Sequence, residues 1–252
     1  MNQRQLLWRQ HLMGNDQDIA YKRVLYTKFI LNSNNIEHQL KGIIQRDMPR
    51  TYPRNTWVQH NINTIQQLLI EYASIHQGDG YLQGFNFLMA ITYKVFKGTT
   101  HEREDTWWCF CRIIGLVRPL IPDFNSNWFH WSRNYWVNHL LQKLSKKRPQ
   151  LHSILLTNQE RFSVLITCKW FMLWFAQNVD FDEIHVLWDV LVKTPSRKLL
   201  KLYIIIMYEI LKEAAPTLTY KWSQEPSALL HELLTIRIKG IDRLVKKISK
   251  SV

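Results

Sequence analysis

The sequence predicts an all-α protein, and three observations carry that expectation. Apolar residues recur at helical spacing along almost the whole chain, while period-2 alternation is scarce. Gly and Pro number 8 each in 252 residues, a combined share of roughly 6% against an average near ~12%, which suits long regular elements with few turns. Hydrophobic residues make up 46%, ample to offset ordering entropy, so disordered, collagen-like and low-complexity classes are excluded.

The clearest helix is predicted from about Trp57 to His76. Ile62, Ile65, Leu69 and Tyr72 fall on one stripe, Asn55 is a fitting N-cap, and Gly78 a natural stop. A second helix is expected from near Gln83 to just before Gly98. A third covers Glu102–Val117, with acids in its first turn and Pro119 beyond its end. Further helices are expected at about Trp128–Leu144, Ser163–Asn178, Asp182–Val192, Ser196–Ala214 and Glu225–Lys250. Asp182 and Ser196 serve as caps, and Pro226 sits in a first turn. No internal repeat or low-complexity linker divides the chain, and the polar stretch Ser145–Gln150 is the nearest thing to a boundary.

The net charge of +13, with a sequence pI near 9.7, favours acidic partners without choosing among nucleic acid, anionic lipid and acidic protein. Cys109, Cys111 and Cys168 are odd in number, and their C-x-C spacing is too tight for a zinc knuckle. Free buried thiols in a reducing compartment and no metal site are expected. No secretory signal pattern opens the chain. Its most apolar window, Val164–Ala176, falls short of a ~20-residue span and is broken by Lys169. A soluble, cytoplasmic protein is the expectation.

The phosphate-loop, nucleophile-elbow and zinc-protease signatures are absent. Two segments do carry polar residues where helix periodicity does not ask for them. In Ile44-Gln45-Arg46-Asp47-Met48-Pro49-Arg50-Thr51-Tyr52-Pro53, Asp47 and Arg50 are three apart and can pair across a helical turn, and the prolines stiffen the exit. A guanidinium held in this way suits a phosphoryl group. In Gly78-Asp79-Gly80-Tyr81-Leu82-Gln83-Gly84-Phe85-Asn86, glycines let a partner's backbone approach, and Gln83 opens the next helix. Its amide both donates and accepts, as positioning a water requires. Taken singly, the first segment reads as a surface ion pair and the second as an ordinary interhelical turn.

Together, I-x-x-D-x-x-R (Ile44, Asp47, Arg50), R-T-x-P and G-Y-x-Q-G-x-N (Gly80 to Asn86) resemble the TBC family of Rab GTPase-activating proteins. A third block, Lys169-Trp170-Phe171 with Phe181-Asp182-Glu183-Ile184 and Leu187-Trp188-Asp189, is similar to another family pattern. The resemblance runs from Leu7-Trp8-Arg9 to about Ala214. It implies a single all-α domain of two packed lobes, about 1–144 and 145–252, forming a V-shaped cleft. It also implies a GTPase activator rather than an enzyme in its own right, one that supplies catalytic residues in trans to a GTP-bound Rab-type small GTPase. Arg50 matches the family's arginine finger and Gln83 its glutamine finger. Asp47 would hold the guanidinium, while Ile44, Gly80, Tyr81, Gly84 and Asn86 would support the fingers. No cofactor of its own is implied, because GTP and Mg2+ belong to the partner.

The many tryptophans fall at helical spacings with Phe and Leu, so they read as core rather than as base-stacking platforms. On the C-terminal helix, Ile241, Leu244, Val245, Ile248 and Val252 share one face, and Lys239, Arg243, Lys246, Lys247 and Lys250 crowd the other. The plainer reading is a docked helix with a solvated basic face. The functional one is contact with an anionic membrane, giving a peripheral place on endomembranes. Two other functions compete with GTPase activation. A non-catalytic interaction module of the same fold would commonly lack the Arg or the Gln. A basic nucleic-acid-binding helical protein would bind with a steep salt dependence.

Overall fold

The computed structural model describes residues 2–32, 38–76, 80–117, 138–160, 162, 166–222, 233, 236–238 and 240–250. The fold is all-α, with no strand among the described residues. Contacts divide the chain into two units, Met1–Gly115 and Leu116–Val252.

In the first unit, α1 (Gln3–Trp8) opens with a reciprocal cap. The Asn2 side chain accepts from the Gln5 N–H and the Gln5 side chain accepts from the Asn2 N–H, both at 2.9 Å. A π-turn (Arg9–Met13) leads through Gly14 to α2 (Asp16–Asn32) and α3 (His38–Asp47). A 3-10 turn (Met48–Arg50) then precedes α4 (Thr56–His60), α5 (Ile62–Ile75), α6 (Phe85–Phe96) and α7 (Glu102–Val117). Asn55 caps α4 as expected, accepting from the Val58 N–H at 3.0 Å. The single helix predicted from Trp57 to His76 is instead two, broken at Asn61, whose side chain donates to the Trp57 carbonyl at 2.8 Å. A short amide that bonds its own backbone offers the chain an alternative to the helix ladder.

Helix α6 is buried on nearly every face and packs on α5 and α1, while α3 packs on α5. Aromatic rings fill the space between. Tyr72 meets Phe110 edge to face at 4.8 Å, and Phe85 meets Phe110 at 5.6 Å. The core reading of the tryptophans holds for Trp8, Trp107, Trp170, Trp174 and Trp188, each 0–1% exposed; Trp128, Trp131 and Trp136 lie outside the described residues.

Two buried carboxylates tie the outer helices to this core. Glu71 of α5 accepts from the Tyr26 hydroxyl of α2 at 2.7 Å and from Arg103 of α7. Burial, then the Glu71 contact, pushes the Tyr26 phenol well above its ordinary pKa, so it remains a donor. Asp105 of α7 has a fully buried side chain. It is gripped by Arg9 at 2.7 Å and by Arg23 at 2.8 and 2.9 Å. Cys109 is likewise buried, which pushes its thiol well up; Cys111 is half-buried.

The second unit contains α8 (Asn138–Lys147), α9 (Pro149–Thr157), a π-turn (Ile166–Phe171), α10 (Ile184–Lys193), α11 (Ser196–Trp222) and α12 (Ile241–Ser249). The expected division at 144/145 moves to 115/116. Helix α8 buries Leu140, Leu141 and Leu144 and packs on α9 and α11, so it belongs to the second unit. The helix predicted over Ser163–Asn178 is also corrected. Past Phe171 the backbone runs in turns, with Trp174 and Phe175 left-handed at φ 46 and φ 60. Every residue of Leu173–Ala176 is 0% exposed, so the segment stays in the core although it is not helical. Helix α10 starts at Ile184 rather than Asp182, because residues 181–183 form a turn in which the Asp180 side chain accepts the Asp182 N–H at 2.9 Å and the Asp180 carbonyl the Glu183 N–H at 3.1 Å. Helix α11 runs past Ala214 to Trp222, through Pro216, and 27 residues absorb one missing donor. The helix predicted over Glu225–Lys250 is not continuous, because residues 236–238 and 240 are not helical and α12 forms only its last part. Helix α12 begins only at Ile241, after the left-handed Gly240.

Replacing Asp105 with Ala strands two guanidiniums that are largely out of water. Urea unfolding followed by Trp fluorescence should show a loss of about 3–5 kcal/mol. A loss under ~1 kcal/mol would mean that Arg9 and Arg23 find water instead.

Candidate functional site

Arg50 ends a 3-10 turn that follows directly from α3, with Pro49 in its first turn. Its side chain is exposed, whereas Ile44, Asp47, Met48 and Thr51 around it are buried. Beyond the turn, Tyr52 takes a left-handed φ of 43, a cost for a bulky residue that its surroundings must offset. They do so at both carbonyls. The Gln59 amide donates to Thr51 at 3.1 Å and more weakly to Tyr52 at 3.4 Å, and the Asn55 N–H donates to Tyr52 at 2.9 Å.

Gln83 is exposed in a turn between Tyr81 and α6. The expected helix start at Gln83 shifts to Phe85, because Gly84 sits at φ 110, where α6 cannot yet begin. Gly80 serves a different purpose from the one expected. It is buried, and a Cβ there would stand 2.6 Å from the His76 carbonyl oxygen and 2.7 Å from that of Ala73. Its bareness accommodates the chain's own backbone rather than a partner's. Gly78 and Asp79 lie outside the described residues.

A buried polar network joins these two turns. The Tyr81 hydroxyl donates to the Asp47 carboxylate at 2.8 Å. The Asn86 amide donates to Thr51 Oγ1 at 2.7 Å, and Thr51 Oγ1 donates to the Asp47 carbonyl at 3.2 Å. Burial, then the hydrogen bond to Asp47 and its charge, lifts the Tyr81 phenol well above its ordinary pKa, so it donates throughout the physiological range. The rings of Tyr52 and Phe87 add an edge-to-face contact at 5.1 Å. The anticipated Asp47–Arg50 pair is not formed. Among the described residues Asp47 has no ion pair with Arg50, and its carboxylate, 8% exposed as a residue, turns inward to Tyr81. A buried carboxylate takes a buried donor in preference to a cation that water already solvates.

Ile44, Asp47, Gly80, Tyr81, Gly84 and Asn86 thus assemble around the two turns, with Arg50 and Gln83 as their exposed tips. Thr51, Gln59 and Phe87 also hold the site. Thr51 stands inside the R-T-x-P string without a role that its type announces, and Gln59 carries no local signal at all. The basic residues Arg243, Lys246, Lys247 and Lys250 lie in the other unit, and Lys239 is outside the described residues. Among the described residues no cluster of His, Cys, Asp and Glu could hold a metal ion, and no helix is long and apolar enough to cross a membrane.

The sequence profile of the Rab-GTPase-TBC domain matches residues 1–215. The chain belongs to the Rab-GTPase-TBC domain family. The TBC1 domain family member 17 of Homo sapiens is 26% identical over 162 residues, covering 63% of this chain and 24% of the relative. The Growth hormone-regulated TBC protein 1 of Xenopus tropicalis is 25% identical over 182 residues, covering 70% of this chain and 49% of the relative. This TBC chain therefore spans between a quarter and a half of the length of those two relatives. Its fold is that of the Ypt/Rab-GAP domain of Gyp1p. That crystal structure superimposes with a TM-score of 0.73 over 98% of this chain and 86% of the other, at 15% identity.

Within this TBC fold, Tyr81→Phe removes the donor to a buried carboxylate and should cost about 1–3 kcal/mol. In a double-mutant cycle with Asp47→Asn, the two losses should be clearly non-additive in urea unfolding. Additive losses would show that the hydroxyl–carboxylate bond does not link the turns.

Proposed function

We propose that this chain accelerates GTP hydrolysis by a GTP-bound Rab-type small GTPase, donating Arg50 and Gln83 to the partner's nucleotide pocket. The observation that carries this reading is the shared network. Two exposed side chains with the right chemistry stand on turns that are cross-linked through Tyr81–Asp47 and Asn86–Thr51. Membership of the Rab-GTPase-TBC domain family supports it.

Little covalent chemistry is asked of an activator, since phosphoryl transfer is helped mainly by positioning and by charge stabilisation. Arg50 neutralises charge developing on the γ-phosphoryl and bridging oxygens with a planar fork of donors. Gln83 accepts from and donates to the attacking water, aligning it with the phosphorus. GTP and Mg2+ arrive with the partner. Both turns are held before the encounter, so little ordering entropy is lost in reaching the transition state.

Arg50→Ala should lower stimulated hydrolysis by roughly 10² or more in a panel of Rab GTPases, because an arginine supplied in trans contributes on the order of 10³–10⁵. Thermal unfolding should be unchanged, since the side chain is exposed, and Arg50→Lys should restore little. Near-native stimulation by Arg50→Ala on its cognate Rab would remove Arg50 from the mechanism.

Gln83 is tested by a two-by-two comparison. A Rab whose own water-aligning glutamine is replaced by Leu should remain substantially stimulated by the native chain and lose that stimulation with Gln83→Ala. If the Rab mutant is refractory to the native chain while Gln83→Ala still activates unaltered Rab, the partner aligns its own water.

A further inference from the structure

The second unit carries a feature that GTPase activation does not use. Helices α11 and α12 pack on each other, and a cavity of about 290 Å³ opens beside them. Ile238 and Leu244, each 6% exposed, give it an apolar lining. Ile238 is pinned in place, its N–H donating to the Asn178 carbonyl at 2.8 Å. The remaining lining is Lys212 and Glu209 from α11, Arg243, Lys246 and Lys247 from α12, and Lys250 just beyond it. Glu209 accepts from Lys247 and lies 3.9 Å from Lys212, orienting both ammonium groups. Among the described residues no carboxylate pairs with Arg243, Lys246 or Lys250.

Five cations and one carboxylate leave the lining at +4. Lys143 of α8 is affected by the same crowding. Burial, reinforced by the charge of Lys247 and opposed by Glu209, holds its ammonium below the ordinary lysine pKa. Such concentrated charge is costly unless an anion neutralises it. A carboxylate or a single phosphate would offset only part of it. The volume sits at the small end of the ~300–1,000 Å³ typical of ligand sites, which suits one compact headgroup and not a polymer.

We propose that this cavity binds a compact polyanion bearing two or more phosphate monoesters, the chemistry presented by a phosphorylated inositol headgroup. Arg243 would take one phosphate bidentately, Lys212, Lys246 and Lys250 would act as point charges around it, and Lys247 would be held in range by Glu209. The lining residues all lie in the unit without the finger turns, so the failure of either proposal leaves the other standing.

The test titrates the 252-residue chain at ~0.15 M salt, where exposed charges are screened beyond ~8 Å. The probes are inositol 1,4,5-trisphosphate and two kinds of phosphatidylcholine vesicle. One carries phosphatidylinositol 4,5-bisphosphate and the other phosphatidylserine at equal charge. Lys246→Glu with Lys250→Glu should weaken trisphosphate binding at least tenfold. The control, Arg197→Glu with Lys198→Glu, reverses as many exposed charges; the two are ~18 and ~17 Å from Glu209 along α11 at 1.5 Å per residue, and this variant should change binding less than twofold. If the bisphosphate vesicles are also preferred over the serine vesicles, the ligand is a lipid headgroup. If only the soluble trisphosphate binds, it is a free polyphosphate. Equal binding to both vesicles without trisphosphate binding, equal losses in variant and control, tighter binding to a short oligonucleotide, or no binding would each overturn the proposal.

Discussion

A carboxylate buried beside the end of a helix must find donors nearby, and in this chain that requirement organises the site. Asp47 closes α3, and its side chain is directed inward, where the Tyr81 hydroxyl meets it at 2.8 Å. Thirty-four residues separate the two in sequence, so this bond fixes the Gln83 turn against the Arg50 turn. Asn86 repeats the link one step further on, through Thr51. The remaining features depend on that tie. Gly80 must be bare to let the chain pass close to α5, Gly84 must be left-handed to release α6, and Tyr52 accepts an unfavourable φ while Gln59 holds the carbonyls of Thr51 and Tyr52. Exposed tips on a buried frame are ordered before any partner arrives, which is what the role proposed for Arg50 and Gln83 requires.

Much of this was legible in the sequence, for identifiable reasons. Helix α7 appears with the bounds Glu102–Val117 because its acids, its apolar stripe and Pro119 all agree locally. Asn55 caps α4 for the same reason. Ile44, Asp47, Gly80, Tyr81, Gly84 and Asn86 were legible as a group because their spacing is a family pattern. What Asp47 bonds was not, since spacing i,i+3 favours Arg50 and only the folded chain brings Tyr81 within reach. Ser163–Asn178 failed for another reason. When all faces of a segment are buried, apolar residues occur at every position and no period distinguishes a helix from turns. The boundary at 115/116 was hidden too, because polar composition at Ser145–Gln150 marks exposure and says nothing about which neighbours α8 contacts.

The basic excess is also distributed unevenly in its consequences. In the first unit, guanidiniums of Arg9, Arg23 and Arg103 are consumed by Asp105 and Glu71, where they neutralise buried carboxylates and hold helices together. In the second, Arg243, Lys246 and Lys250 have no such carboxylates among the described residues and remain exposed on and beside α12. The same residue types therefore act as internal fasteners at Arg9, Arg23 and Arg103 and as surface charge on and beside α12. Net charge alone could not have separated these roles.

The clamp on Asp105 also constrains how the chain can be made. Arg9 and Arg23 wait 96 and 82 residues for their common partner. Loops of that length close slowly, and contacts of such separation slow folding. On a ribosome adding about 5–20 residues per second, roughly 5–20 s elapse between the synthesis of Arg9 and that of Asp105. During that interval α1 and α2 lack the carboxylate that joins them to α7, although α3, α5 and α6 can already pack. The clamp of Arg9 and Arg23 on Asp105 can therefore close only after α7 has been made, so the ties that α1 and α2 make to it form late and together.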